Sequence, residues 1–310
     1  MNLFDLRRTM EALASATWLD YRDGSRYGLI PGEASTTDRN LLELRREHPD
    51  ALHVHRYSSN KEREVGADWE WWIGTDEDGW LCVRIQAKRI YTKTYKMLHH
   101  LTGEDEYQYQ TLIRSCAESY VYPFHVFYNG WDPGRFRLNG REEDVVAWTA
   151  NKWWSIHGQN RELWGCAALS SYRVASLHSA GGPKHSYAPR YLEDSMPWSE
   201  LFGAGVDLVS TTRSLDLIQD HLHRATVEAA PSSGMQVLGD SQPSLRPHLP
   251  VYAAVVKTGQ VDEFEDEEFY ETRVAPPAHV VVVADLEHRH VKVFPVFLTQ
   301  SAQAPQRVLS

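Results

Sequence analysis

The sequence GADWEWWIGTDEDGWLCVRIQAKRI, residues 66–90, decides the fold of this chain. The first part of the stretch is rich in tryptophan and the last part in leucine, valine and isoleucine, and both alternate between polar and apolar residues, which favours β-strands. Between them lies GTDEDG, residues 74–79, with the glycine and aspartate content of a tight turn. We therefore expect a β-hairpin, with one strand over 67–73 and the next over 80–90.

The alternation of side chains along this hairpin gathers polar groups on one face. Successive strand residues point to opposite sides of a sheet, so Gln86 and Lys88 share a face of the second strand. By the same rule Asp68 and Glu70 lie together on the first strand, opposite Trp69. If the strands pair, Asp68 lies near Gln86 and Lys88, and a carboxylate, an amide oxygen and an ammonium group converge. A cross-strand ion pair between Asp68 and Lys88 would give the same pattern without any catalytic role.

The flanking sequence predicts further elements of the same core. A helix is expected after the capping sequence STTD at 35–38, and a strand over 51–57 follows it. Beyond the hairpin, apolar residues at spacings of three and four predict a helix over 107–119, and an apolar run predicts a strand over 121–128. The order over 31–131 is therefore α-β-β-β-α-β, an α/β core with a mixed central sheet.

The first of these helices offers a further acid. Glu33 follows helical spacing with Leu41 and Leu44, so it shares the face turned toward the sheet if the helix begins before the predicted cap. Glu43 lies on a different face of the helix and is the second candidate.

These oxygen atoms suit a hard divalent cation. Mg²⁺ takes a few oxygen ligands and keeps several waters, and Asp68, Gln86 and either Glu33 or Glu70 can supply such a set; Mn²⁺ is the alternative metal. The metal would polarise a phosphodiester and lower the pKa of a bound water. Lys88 would position that water or offset the charge that develops on the phosphate.

The same residues carry a resemblance to a known superfamily. The α-β-β-β-α-β order, with an acid on the second strand and a (D/E/Q)-x-K tripeptide on the third, resembles the PD-(D/E)XK nucleases. The segment GADWEWW…VRIQAKR looks most like their Mrr-like restriction-endonuclease branch, in which glutamine is common at the first tripeptide position. Residues 31–131 also resemble a family of uncharacterised bacterial proteins that share GADWEWW and QAKR. The resemblance implies that Asp68 and Gln86 bind metal, that Lys88 is catalytic and that Glu33 is the helix acid.

The charge distribution leaves room for a nucleic-acid partner. The net charge of −10 opposes phosphate binding, but much of the acid is concentrated in DEFEDEE at 262–268. Basic residues cluster instead around the hairpin, which predicts a local nucleic-acid-binding surface. Its candidate residues are Arg56, Arg89, Lys93 and Lys96.

Outside the core the sequence predicts several looser segments. Residues 1–30 form a helical segment, 132–228 an α+β extension, 229–250 a loop or linker, 251–300 a β-rich part packed on the core, and 301–310 a tail. Within them, 165–177 could extend the sheet, 215–227 is a helix, and 251–257, 279–284 and 291–297 are strands.

The leading hypothesis is thus a Mg²⁺-dependent nuclease acting on nucleic acid, DNA in the first instance, with bacterial defence or repair as its setting. One rival is a catalytically silent nuclease-fold module that binds nucleic acid or a protein. Another is a carbohydrate-binding or structural protein that uses its tryptophans. Three scattered cysteines and an N-terminus without a long apolar stretch predict a cytoplasmic location. A homodimer or a complex with a partner protein is compatible with all three hypotheses.

Overall fold

A seven-stranded mixed sheet forms the centre of the computed structural model. The structure describes residues 3–57, 65–95, 98, 101, 106–116, 118–132, 160–180, 186–203, 214–230, 233, 244–260 and 276–284. The strands are β1 (Leu52–Arg56), β2 (Trp69–Thr75), β3 (Gly79–Arg89), β4 (Val121–Tyr128), β5 (Cys166–Ser170), β6 (Met196–Pro197) and β7 (His279–Ala284). Their order across the sheet is β1-β7-β2-β3-β4-β5-β6.

Helices cover both faces of this sheet, which confirms the predicted α/β class. Within the described residues they are α1 (Leu3–Tyr27), α2 (Glu33–Glu47), α3 (Gln108–Ser115), α4 (Ser171–Ser179), α5 (Ala188–Leu192), α6 (Ser214–Val227) and α7 (Val251–Thr258). Two short 3₁₀ helices, Arg161–Gly165 and Trp198–Phe202, complete the set. In the described part of the chain, no helix is long and apolar enough to cross a membrane.

The element order α2-β1-β2-β3-α3-β4 matches the predicted order α-β-β-β-α-β. β2 and β3 pair as the antiparallel hairpin, and β3 and β4 run parallel with α3 as their crossover. β7 lies between β1 and β2, antiparallel to β1 and parallel to β2. The valines at 280–283 are buried on both faces of the sheet, as an apolar run in an interior strand requires.

The two faces of the sheet bury separate groups of side chains. One face, which carries Trp69, Trp71 and Ile85, joins the main core beneath α1 and α2. The other face carries Trp72 and Cys82 and packs against α3 and α7. This division agrees with the alternation predicted for the hairpin. All four hairpin tryptophans, including Trp80, are buried, so none of them presents a ring for a ligand.

Two predicted elements differ from the structure. The strand predicted over 251–257 is instead the helix α7, which begins after Pro250 and ends at Gly259 with a left-handed backbone conformation. Valines made this run look like a strand, but proline before the helix and glycine after it are typical helix boundaries. The segment 165–177 extends the sheet only through β5 and then turns into α4. The strand predicted over 291–297 and the tail over 301–310 lie outside the described residues.

The N-terminal helix α1 packs closely against the segment that leads into β5. At Gly165, which immediately precedes β5, a side-chain carbon would overlap the carbonyl oxygen of Ala14 in α1. Only glycine permits this close approach of two backbones. The predicted helical segment at residues 1–30 therefore packs on the sheet rather than standing apart from it.

Candidate active site

The polar end of the β2–β3 hairpin brings Asp68 and Gln86 together. In the antiparallel register Trp69 lies opposite Ile85, and the Asp68 N–H donates to the Ile85 carbonyl at 2.8 Å. The Oδ2 atom of Asp68 accepts hydrogen bonds from Gln86 Nε2 and from the Ala87 N–H, each at 2.5 Å. The hairpin thus places these two predicted site residues in direct contact.

The carboxamide of Gln86 has one satisfied end and one unsatisfied end. Its Nε2 also lies 3.2 Å from the Ala87 carbonyl. Its Oε1 is buried and accepts no hydrogen bond in the part of the chain that the structure describes. A buried acceptor without a donor costs about 1–3 kcal/mol. This oxygen therefore marks a place where a donor or a cation would be favourable.

Glu33 is the helix acid that reaches this end of β3. α2 begins at Glu33 itself, one turn earlier than a cap at 35–38 would allow, so the condition on which Glu33 depended is met. Its Oε2 accepts a hydrogen bond from the Arg89 N–H at 2.8 Å, and its Oε1 lies 3.7 Å from the Lys88 Nζ. The Lys88 side chain is only 6% exposed. Glu43, by contrast, pairs with Arg46 on the exposed side of the helix.

Glu70 does not join this group. It is fully buried, its Oε1 accepts from the Trp72 Nε1 at 2.7 Å, and its Oε2 accepts from the Arg84 Nε at 3.1 Å. The Arg84 guanidinium also donates to the Ser115 carbonyl. Glu70 therefore lies opposite Arg84, two residues along β3 from Gln86, and is enclosed in the sheet–helix interface. The prediction that Glu70 is a metal ligand finds no support in this arrangement, and its partner is Arg84.

A residue that sequence reasoning missed lies beside the site. His125 of β4 is the register partner of Gln86 across the parallel β3–β4 pair. It is buried, and its Nδ1 lies 2.9 Å from the Ser171 Oγ at the start of α4. Burial, aided by the nearby Lys88 ammonium, lowers the pKa of His125 to about 3, so its imidazole is neutral. The available signal was a histidine inside the otherwise apolar run VYPFHVFY.

The predicted basic surface is only partly assembled at this end of the sheet. The Arg89 guanidinium lies over the Tyr91 ring at 4.1 Å and donates to the Pro31 carbonyl. Lys93 is exposed in the turn that follows β3. Arg56 is exposed at the end of β1 but is paired with Asp38 at 3.1 Å. Lys96 lies outside the described residues.

The oxygen atoms at this end of β3 fit a hard cation in kind. Asp68 and Glu33 bring carboxylates and Gln86 brings the unsatisfied amide oxygen, which are the ligand types that Mg²⁺ and Mn²⁺ take. The described residues contain no cluster of three or more histidine, cysteine, aspartate or glutamate side chains suited to a metal. Any cation here would therefore depend on the amide oxygen and on water for the rest of its coordination.

Comparison with known proteins places the chain in a family without placing it in a reaction class. A search of curated proteins finds no match. A family described as a family of unknown function, DUF6615, matches residues 6–289, which include every strand and every helix named above except the first residues of α1. Because the match covers nearly the whole chain, the protein belongs to the DUF6615 family.

Proposed function

We propose that the chain is a metal-dependent nuclease of the PD-(D/E)XK type, which hydrolyses phosphodiester bonds of nucleic acid, DNA in the first instance. A bacterial cytoplasm, with a role in defence or repair, is the setting that we propose for it. The element order α2-β1-β2-β3-α3-β4 supports this proposal, as do the acid just before β2 and the Gln-x-Lys tripeptide near the end of β3.

The observation that carries the proposal is the unsatisfied Gln86 Oε1 beside the Asp68 carboxylate. In a purely structural cross-strand contact we would expect both ends of a buried carboxamide to be hydrogen-bonded. Asp68, Gln86 and Glu33 would hold Mg²⁺ or Mn²⁺, which supplies charge to polarise the phosphodiester and to acidify a water.

Lys88 is the remaining member of the proposed site. Its side chain is almost completely buried and its Nζ lies 3.7 Å from the Glu33 Oε1, so the ammonium has little freedom to move. We assign it to orienting the attacking water and to balancing the negative charge that builds on the phosphate. His125 is held neutral, so it adds no second positive charge beside the Lys88 ammonium.

Cleavage of plasmid DNA with Mg²⁺ or Mn²⁺ tests the proposal. We expect Asp68→Asn, Lys88→Met and Glu33→Gln each to lower the cleavage rate by at least about 100-fold. Matched controls are Glu43→Gln, on the same helix but paired with Arg46, and Lys257→Met, which removes a lysine paired with Asp76. If the parent does not cleave, or if the site variants cleave as fast as their controls, the proposed activity is wrong.

One contact favours a second candidate function, a silent nuclease-fold module that binds nucleic acid or a protein. Asp68 Oδ2 already accepts two hydrogen bonds, and one of them comes from the amide that stands where a nuclease of this type usually has an acid. This function predicts DNA binding that is the same with and without Mg²⁺, and no cleavage with either metal. Electrophoretic mobility shifts measured beside the cleavage assay separate the two candidates.

A further inference from the structure

An exposed apolar turn joins α1 to α2 next to the proposed site. Its three large side chains are Tyr27, Leu29 and Ile30, which are 76%, 79% and 38% exposed. We call these three residues the apolar tip. Single exposed hydrophobic residues are ordinary, but here three large exposed side chains fall within four positions of the chain. Grouped exposed apolar side chains of this kind mark interaction surfaces.

The exposure of Leu29 is built into the way in which α1 ends. Gly28 has a left-handed backbone with φ of 74°, and the Leu29 N–H donates to the Gly24 carbonyl at 2.8 Å. This is the Schellman arrangement, in which the residue after the left-handed glycine normally packs on the side chain at the Gly24 position. Here that position has no side chain, and an added one would press against the Leu29 carbonyl at 2.8 Å. Leu29 is consequently directed into solvent on a fixed backbone.

The apolar tip is fastened to the catalytic end of β3. The carbonyl of Pro31, next to Ile30, accepts from the Arg89 guanidinium at 3.2 Å, and the Arg89 N–H binds Glu33. The distance in sequence from Ile30 to Glu33 is three residues. Arg89 thus holds the turn that carries the tip at the same end of β3 as Glu33. We take this end of β3 as the place where a strand of nucleic acid bound at Asp68 would meet the tip.

Charge and size both favour nucleic acid as the occupant. The Arg89 guanidinium contacts a carbonyl and a tyrosine hydroxyl but no carboxylate within the described residues, and Lys93 is exposed nearby. Two cations without a carboxylate partner among the described residues suit the phosphates of a nucleic acid. A stable interface with a second copy needs about 800 Å² from each partner, more than three side chains supply, whereas one or two apolar side chains suffice to open a base step.

We propose that the apolar tip is a wedge that enters the base stack of duplex DNA, with Leu29 as the inserted side chain. The wedge would locally unstack the duplex and bend the strand toward the end of β3. This inference rests on the proposed function for the position of the DNA. It also specifies the substrate as duplex DNA in which the base step contacted by Leu29 opens readily.

Base unstacking can be measured without cleavage. A short duplex carrying 2-aminopurine, whose fluorescence rises when the base leaves the stack, is titrated with the full chain in the absence of Mg²⁺ and Mn²⁺. Moving the 2-aminopurine along the duplex locates the opened step. We expect a several-fold rise with the parent and with Leu29→Met, and no rise with Leu29→Ser. The matched control is Leu42→Ser, which removes a leucine that is 48% exposed on α2 and should retain the full rise.

Each outcome bears on the wedge separately from the nuclease. A rise that persists in Leu29→Ser, or no rise with the parent at any probe position, overturns the wedge even if the parent cleaves DNA. A rise in fluorescence that depends on Leu29, in a chain that never cleaves DNA with Mg²⁺, supports the wedge and contradicts the proposed nuclease activity. If gel filtration shows a dimer that Leu29→Ser converts to a monomer, the tip binds a second copy and the wedge is overturned.

Discussion

Replacing Glu70 by alanine should destabilise the chain by about 3–5 kcal/mol, because it leaves the Arg84 guanidinium buried without its counter-charge. Glu70 is fully buried and the Arg84 side chain is 5% exposed, with 3.1 Å between Nε and Oε2. At that distance, and with an effective dielectric constant of about 20, the attraction is about 5 kcal/mol. Loss of the acceptor for the Trp72 N–H adds about 1 kcal/mol, while the retained contact with Ser115 offsets part of the total.

Urea-induced unfolding at neutral pH measures this loss. Glu106→Ala is the matched control, because it breaks a short but exposed ion pair with Arg114 and should cost less than about 1 kcal/mol. The double variant Glu70→Leu with Arg84→Met should recover most of the stability, since neither charge then remains buried. If Glu70→Ala costs no more than Glu106→Ala, the reasoning from the buried pair is refuted.

The same position tests whether Glu70 belongs to the proposed metal site. Glu70→Gln keeps the shape of the side chain and, if Glu70 serves only Arg84, leaves the Mg²⁺ concentration for half-maximal cleavage unchanged. A tenfold or larger increase in that concentration would make Glu70 a ligand of the proposed metal.

Three further predictions concern the neighbouring residues. Burial lowers the pKa of His125 from 6.5 to about 3, so as the pH falls the unfolded chain binds a proton at this residue before the folded chain does, and stability declines below pH 6.5. His125→Gln should remove about 2 kcal/mol of the stability that urea unfolding shows to be lost by about pH 5. An unchanged pH profile of stability in this variant would contradict the expectation. Gln86→Glu adds a carboxylate beside Asp68 and should tighten Mg²⁺ binding, measured by calorimetry, about tenfold, a change of about 1.4 kcal/mol in binding free energy. Equal affinity of the variant and the parent would mean that the metal does not contact this side chain. Gly165→Ala should lower the free energy of unfolding by at least about 1–3 kcal/mol, because the added carbon forces α1 away from β5. Gly32→Ala should cost far less, because its added carbon meets only the Ser35 Oγ at 3.4 Å. Similar losses of stability in both variants would disprove the close approach of α1 to Gly165.

Local contacts account for what the sequence predicted correctly. The β2–β3 pair is a hairpin closed by a short turn, so its register and the contact of Asp68 with Gln86 follow from residues fewer than twenty positions apart. Glu33 could also be predicted as the helix acid, because its spacing from Leu41 and Leu44 fixes its face of the helix once α2 begins at Glu33.

The sequence is least informative where distant segments decide the outcome. The pairing of His125 with Gln86 depends on a parallel crossover through α3, which strand alternation alone does not reveal. Glu70 and Arg84 occupy the same face as the site, and only the helices packed over that face determine that their pair is buried. In α7, a valine-rich run adopts a helix because of its surroundings and its boundary residues.

The position of β7 has a consequence for how the chain can acquire its structure. An interior strand at residues 279–284 separates β1 from β2, although those two strands lie near the other end of the sequence. During synthesis the ribosome must release more than two hundred further residues before the gap between them can close. Such distant pairing slows folding and leaves apolar strand edges open to aggregation. A fragment that ends after β4 would keep the proposed site residues but lack the strand that joins the two parts of the sheet, so it should accumulate as aggregates.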